Sequence, residues 1–119
     1  MSLQTTTIQM TNVVSDTTLI TMGNQTRIED LTINLTSAGH YTLKGIVFGG
    51  TTSVNAKVRT CVLTVNNAGA STGGTSSVTG IEFNGTGTLG AGTFSFNSVK
   101  GSTVNVYSNG GGNKRGILV

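Results

Sequence analysis

Two short sequence elements alternate along this chain, and their repetition limits the possible folds more than any other feature. The first element reads IEDLTINL, VRTCVLTV and VKGSTVNV, at residues 28–35, 58–65 and 99–106. The second reads KGIVF, TGIEF and RGILV, at residues 44–48, 79–83 and 115–119. From the end of each first element to the isoleucine of the next second element the distances are 11, 16 and 11 residues. The repeat therefore predicts one scaffold whose connecting loops vary in length.

Apolar residues occupy alternate positions in both elements, which is the period of a β-strand. Short strands of this kind cannot bury an apolar face alone, but copies stacked about 4.8 Å apart share a core, with a parallel sheet on each wall. The sequence therefore predicts an all-β fold, a single-stranded right-handed parallel β-helix (solenoid) of about three coils. The predicted inward columns are Ile33/Leu63/Val104, Leu35/Val65/Val106, Ile46/Ile81/Ile117 and Phe48/Phe83/Val119.

Composition supports a β fold, since 18 glycines and abundant threonine disfavour helices. Charged residues make up only 9% of the chain, against about 25% in an ordinary soluble domain. The single cysteine, Cys61, cannot form an internal disulfide, and its apolar neighbours predict a buried, inert thiol.

Residues 1–26 precede the first full coil and are predicted to be an N-terminal cap or a partial coil. They contain two predicted strands, at 5–14 and 18–22. If the segment is a partial coil, Ile20 and Met22 match Ile46 and Phe48 of the first full coil. Residues 27–119 then form the β-helix coils, which we expect to be part of a longer solenoid. An antiparallel β-sandwich would also accommodate short strands and Gly-rich turns, but it does not explain why the two elements alternate.

The segment 99–106, followed by Asn113-Lys-Arg-Gly-Ile117 and with degenerate copies upstream, resembles the β-helical repeats of surface or fibre proteins of large DNA viruses. More loosely, it is similar to the pectin-lyase-like helices of phage tail spikes. The resemblance covers residues 28–119 and implies a scaffold role. Enzymatic members of the pectin-lyase-like group carry clustered charged residues on one wall, and this chain departs from that pattern.

The sequence offers few groups for catalysis or metal binding, so neither a catalytic residue nor a metal or cofactor site is predicted. Its only acids are Asp16, Glu29, Asp30 and Glu82, whereas sugar cleavage needs two carboxylates at a defined separation. Glu82 lies between two inward residues and is expected to be a solvated charge on the outer wall. His40 is the only histidine and lies in a predicted turn. The match to G-x-G-x-x-G at 85–90 precedes a predicted strand, not the helix that a dinucleotide site requires.

The net charge of +3 does not predict a nucleic-acid site, because the basic residues form no stripe. In the alignment Glu29, Arg59 and Lys100 share one outward column, which is partly neutralised. The sequence has neither the features of a signal peptide at its start nor an apolar run of about 20 residues. We therefore expect no membrane insertion.

Two outward columns are the candidate contact surface. They read Thr32/Val62/Thr103 and Asn34/Thr64/Asn105. The five polar residues, Thr32, Asn34, Thr64, Thr103 and Asn105, could contact a host surface or a glycan. Regular Thr arrays also resemble the ice-binding faces of antifreeze solenoids. That family repeats T-x-T on successive strands, whereas the three strands here read T-x-N, V-x-T and T-x-N, at residues 32–34, 62–64 and 103–105.

We therefore predict a non-enzymatic structural β-helix module of a fibre or surface protein, such as a viral one, at a virion or extracellular surface. Exposed sheet edges predict a homo-oligomer, either end-to-end or as a trimer. The alternatives are an ice-binding β-solenoid and a carbohydrate-active β-helix.

Overall fold

The computed structural model describes residues 6–23, 25–49, 55–69, 76–84, 97–110 and 112–119. The described chain is all-β: it contains eleven strands and no helix. The strands are β1 (Thr6–Val13), β2 (Thr17–Met22), β3 (Arg27–Glu29), β4 (Leu31–Ser37), β5 (Leu43–Gly49), β6 (Lys57–Arg59), β7 (Val62–Asn67), β8 (Val78–Asn84), β9 (Ser98–Lys100), β10 (Thr103–Ser108) and β11 (Lys114–Leu118).

The strands form three sheets, which the chain visits in turn. Sheet A has the order β1-β4-β7-β10, sheet B has β2-β5-β8-β11, and sheet C has β3-β6-β9. Every pair of neighbouring strands in these sheets is parallel. Each strand therefore pairs with strands three places away in sequence order, which excludes the antiparallel sandwich for the described strands.

The predicted registers of the inward columns are confirmed with one exception. Val104 pairs with Leu63, which pairs with Ile33, and the other two complete columns follow in the same register. Phe48 pairs with Phe83, and their rings stack with centroids 4.5 Å apart and planes 4° from parallel. The pairing of Val119 in this column stays a prediction, because β11 ends at Leu118. Val119 is 96% exposed, as expected for the last residue of a column.

The core lies between the sheets and contains most of the predicted inward side chains together with residues outside the predicted columns, such as Leu43, Ala56 and Val78. Its fully buried members include Ile33, Leu35, Leu63, Ile46 and Ile81. Cys61 is buried in the same cluster, as predicted, whereas the inertness of its thiol stays a prediction.

The first repeated element is not one strand, as its alternation suggested, but two strands from different sheets. In each copy a short sheet C strand turns into a sheet A strand at a single corner residue with positive φ. These corner residues are Asp30 (φ 55°), Thr60 (φ 52°) and Gly101 (φ 62°). A residue with left-handed backbone angles lets the chain turn without a longer loop. Each corner residue therefore leads the chain from sheet C into sheet A.

Sheet B shifts the phase of its alternation once, at its glycines. Leu43 and Ile46 are both fully buried in the core although they are three residues apart. A regular strand would place such residues on opposite faces. Gly45 lies between them and also faces the core, because a Cβ there would meet Leu63 and Val65 of sheet A. Two successive residues, Gly45 and Ile46, therefore face inward, and Leu43, Ile46 and Phe48 all reach the core.

Strand β2 pairs with β5 in the register that the alignment suggested for a partial coil, and β1 pairs with β4, for which no register was predicted. Ile20 lies opposite Ile46 and Met22 opposite Phe48. The division of the chain at residue 26 stays a prediction. None of the described residues forms a helix long and apolar enough to cross a membrane.

Candidate functional site

The five residues predicted for surface contact lie together on the outward side of sheet A. Thr32 and Thr103 both pair with Val62, while Asn34 and Asn105 both pair with Thr64. These positions alternate with the buried residues of β4 and β7, so their side chains lie opposite the core. The sheet thus brings together residues that are up to about 70 positions apart in sequence.

The pairing extends this surface beyond the predicted columns. Thr7 and Gln9 of β1 lie opposite Thr32 and Asn34, and Tyr107 lies opposite Asn66. We call the whole surface the polar face of sheet A. Its members are Thr7, Gln9, Thr32, Asn34, Thr36, Val62, Thr64, Asn66, Thr103, Asn105 and Tyr107.

The polar face is a regular grid of uncharged groups. Neighbouring strands of a sheet lie about 4.8 Å apart, and alternate residues along a strand lie about 6.6 Å apart. None of its members carries a formal charge, and none of its side chains forms a hydrogen bond within the described residues. Its hydroxyls and amides are therefore free to bind an external ligand.

Tyr107 is the one aromatic residue among the members of this face that sequence reasoning missed, the others being Thr7, Gln9, Thr36 and Asn66. Its side chain is 55% exposed on β10, beside the outward amide positions of Asn66 and Asn105. The signal was present, because the alternation of 103–106 continues by one residue to an outward position at 107. An exposed aromatic ring beside amides offers a ligand both an apolar surface and hydrogen bonds.

Glu82 is not the solvated wall charge that the sequence predicted. It lies opposite Val47 and Leu118, as expected for an outward position, but the residue is only 8% exposed. Its Oε2 lies 2.9 Å from Nζ of Lys44, which also donates to Oε1 at 3.0 Å. Alternation along the strand does not reveal this burial, because Lys44 and Glu82 are 38 residues apart and reach the same face through the phase shift at the glycines.

The remaining polar groups have structural partners or stand apart. Oδ1 of Asp16 accepts a hydrogen bond from the backbone N–H of Thr42 at 2.8 Å. Glu29 lies 3.7 Å from Arg27, and its predicted column with Arg59 and Lys100 is confirmed. Both ring nitrogens of His40 are buried, with no partner among the described residues.

A buried polar cluster closes the end of sheet A. Asn67 is fully buried; its Oδ1 accepts from the hydroxyl of Ser37 and from N–H of Tyr41 at 3.3 Å, and its Nδ2 donates to the carbonyl of Tyr41 at 2.9 Å. Ser37 Oγ also contacts the carbonyl of Gly39 at 2.5 Å. The cluster holds the turn after β4 and is closed to solvent.

Within the described ranges, no group of three or more His, Cys, Asp or Glu side chains is arranged to hold a metal ion. The Gly-rich match at 85–90 lies outside the described residues.

The chain matches no family model, no curated protein and no solved structure. Its resemblance to viral and pectin-lyase-like β-helical repeats is thus a prediction from sequence pattern alone.

Proposed function

We propose that this chain is a non-enzymatic structural module, a right-handed parallel β-helix from a fibre or surface protein such as those of viruses. The observation that carries the proposal is the order in which the chain visits sheets A, B and C, with the same columns repeated in successive strands. A parallel crossover connection is right-handed in almost all proteins. On this interpretation each pass through the sheets is one coil of the solenoid.

The placement of the carboxylates supports a scaffold over a carbohydrate-active enzyme. Glu82 is paired with Lys44, and Glu29 lies beside Arg27. Asp16 accepts a backbone hydrogen bond. Acid-base cleavage of a glycosidic bond requires two carboxylates facing each other across the substrate, and these acids are engaged in separate places.

We propose that the polar face of sheet A contacts a neutral glycan on a host or virion surface. Its uncharged amides and hydroxyls suit sugar hydroxyls, and Tyr107 offers a ring for stacking. No cofactor is required for this contact. Nucleic acid is a poor fit, because the face has no basic residue to bind phosphate.

A glycan array tests this proposal. We expect the chain to retain one or more neutral glycans, and Asn105→Ala and Tyr107→Ala to lower that binding at least fivefold. Thr18→Ala on β2 of sheet B is the matched control and should bind as the unaltered chain does. Release of reducing ends from a bound polysaccharide would instead identify an enzyme.

The regular grid of Thr and Asn also favours a second candidate, an ice-binding solenoid. Inhibition of ice recrystallisation by the intact chain would support it, and Thr32→Tyr should then abolish the effect by placing a bulky ring on the grid. An unaltered recrystallisation rate would exclude this candidate.

We also propose that the module forms homo-oligomers, either end-to-end or as a lateral trimer. The support is that β1, β2, β10 and β11 are edge strands of their sheets, and such edges pair readily with other chains.

A further inference from the structure

We propose that the outward side of sheet C binds an acidic polysaccharide, a polymer that carries repeated sulfate or carboxylate groups. The proposal goes beyond the neutral-glycan contact on sheet A and uses different residues. Its site is the basic cluster, which consists of Lys57 and Arg59 of β6 and Lys100 of β9. The parallel pairing of these strands groups three positive charges that are up to about 40 positions apart in the sequence.

The pairing of sheet C fixes the outward position of the basic cluster. Val58 is buried in the core, so Lys57 and Arg59 on either side of it lie on the opposite face of β6. Lys100 lies opposite Arg59 on the neighbouring strand. Paired residues lie about 4.8 Å apart, and alternate residues of one strand about 6.6 Å apart. The three positions therefore fall within about one Debye length of 8–10 Å, and their charges act together on a ligand.

The cationic groups of the basic cluster have no partner in the described part of the chain. Every charged side chain of the sequence lies within the described ranges, and the ion pairs formed there involve other basic residues. Lys57, Arg59 and Lys100 make no side-chain hydrogen bond within these ranges either, and Nε of Arg59 is buried without an acceptor. The two ammonium groups and the outer nitrogens of the guanidinium are thus free to bind an external anion.

The juxtaposition of Arg59 and Lys100 is unfavourable for the chain by itself. Like charges directly opposite one another on neighbouring strands destabilise a sheet. The equivalent position on β3 holds an acid, Glu29, but its carboxylate lies 3.7 Å from Arg27 on its own strand and forms no ion pair with Arg59. Natural proteins break such local rules mainly at functional sites. A polyanion that crosses β6 and β9 would relieve this repulsion.

The remaining groups of this surface favour a polysaccharide over a nucleic acid. Proteins that bind single-stranded nucleic acids stack the bases on aromatic side chains, and the strands of sheet C contain none. Ser98 lies opposite Lys57 and offers a hydroxyl to a sugar. Sulfate and carboxylate groups accept charge-assisted hydrogen bonds from guanidinium and ammonium groups.

The arrangement also favours a polymer over a small anion. One exposed ion pair contributes little to affinity, because water and salt screen it. A polymer with repeated anionic groups can contact all three cations of the basic cluster, so that each further contact is made at a high effective concentration.

Fluorescence anisotropy with labelled dextran sulfate tests this proposal. We expect the intact chain to bind it, with an affinity that falls as the salt concentration rises. Unsulfated dextran has the same backbone and should bind at least tenfold more weakly. Hyaluronate carries carboxylates alone, so its binding shows whether sulfate is needed. Equal affinities for dextran and dextran sulfate, or no binding of either acidic polymer, would overturn the proposal.

Two double variants of equal net charge locate the site. Arg59→Gln/Lys100→Gln should lower the affinity for dextran sulfate at least tenfold and the slope of log affinity against log salt by about two. Lys114→Gln/Arg115→Gln removes two charges from β11 of sheet B and should lower the affinity less than about twofold. Equal losses would show that net charge attracts the polymer, and the basic cluster would then not be its site.

Two single variants keep the test independent of folding defects. Glu29→Gln removes the acid opposite Arg59 and should raise the affinity about twofold. Lys100→Gln should weaken binding without lowering the free energy of unfolding, because it removes the repulsion from Arg59. An unchanged affinity for Glu29→Gln, together with a destabilised Lys100→Gln, would indicate a structural role for these charges and overturn the proposal.

A DNA duplex is the last probe in the same assay. It should bind more weakly than dextran sulfate, and tighter binding would identify nucleic acid as the ligand and overturn the proposal. The neutral-glycan contact of sheet A is read separately on the array, so the two proposals fail independently.

Discussion

The Cβ atom that Gly45 lacks would lie 2.6 Å from the carbonyl oxygen of Gly80 on the neighbouring strand. The same relationship recurs one strand further, since a Cβ at Gly80 would lie 2.7 Å from the oxygen of Gly116 and would also collide with Cγ1 of Val104. Real Cβ atoms do not approach backbone oxygens this closely, so the strands of sheet B keep their spacing only with glycine at these positions. A Cβ at Gly45 would also lie 2.9 Å from side-chain carbons of Leu63 and Val65, so the packing of sheet A on sheet B requires glycine there too. Gly116, on the last strand of sheet B, escapes the constraint.

The column of glycines in sheet B predicts different outcomes for the same substitution at two of its positions. Gly80→Ala should destabilise the fold by about 1–3 kcal/mol, because the added methyl overpacks the junction of sheets A and B. Gly116→Ala adds the same atom in open space and should change the stability by less than about 0.5 kcal/mol. Urea denaturation followed by circular dichroism at low protein concentration gives both values. Equal losses in the two variants would show that backbone freedom, and not packing, requires glycine here.

The pair formed by Lys44 and Glu82 predicts a measurable contribution to stability. The side chain of Glu82 is 11% exposed and that of Lys44 is 33% exposed, which places the pair between a surface and a buried salt bridge. Glu82→Gln should therefore cost about 2 kcal/mol, since it leaves the ammonium group without its counter-charge in a partly buried site. Denaturation midpoints of the two proteins provide the test.

Glu29→Gln is the control for this pair, because Glu29 lies 3.7 Å from Arg27 in an exposed position. It should change the stability by less than about 0.5 kcal/mol. Lys44→Met/Glu82→Leu removes both charges and should recover most of the loss. A double variant as unstable as Glu82→Gln would argue against charge pairing as the cause.

The sequence alone predicted the parallel stacking and its registers because the repeats are aligned by alternation. A shift of one residue would turn every apolar side chain of a strand outward, and the gapless alignment of the three copies then selects, among the even shifts, the register that places Ile33, Leu63 and Val104 in one column. The same alternation placed the five contact residues on one face. Tyr107 extends that face and follows from the same rule.

Three features could not be predicted, since each depends on the path of the chain and not on the pattern. The corners at Asp30 and Thr60 divide the first element between two sheets, although neither residue type signals a left-handed conformation as clearly as Gly101 does. The phase shift at Gly45 brings Lys44 to the same face as Glu82. The burial of Glu82 follows from that shift, so alternation along a single strand could not reveal it.

The buried amide of Asn67 predicts a third effect. It accepts hydrogen bonds from Ser37 and Tyr41 and donates one to the carbonyl of Tyr41. Asn67→Ala leaves these buried groups without partners and should cost about 1–3 kcal/mol. The neighbouring Asn66 lies on the polar face, and its side chain makes no hydrogen bond within the described residues, so Asn66→Ala should be nearly neutral in the same denaturation assay. Similar losses for both would contradict the role of the buried cluster.

Thr60 predicts a gain in stability, which is rare for a single substitution. It holds a φ of 52° at the corner between β6 and β7, and a β-branched residue is strained in that region. Gly101 occupies the equivalent corner between β9 and β10 with a φ of 62°. Thr60→Gly should therefore stabilise the chain by up to about 1 kcal/mol, because relief of strain exceeds the entropy that glycine adds to the unfolded state. Thr64→Gly, within regular strand β7, is the control and should destabilise by about 1 kcal/mol. If thermal unfolding showed Thr60→Gly to be as destabilising as Thr64→Gly, the corner would not be strained.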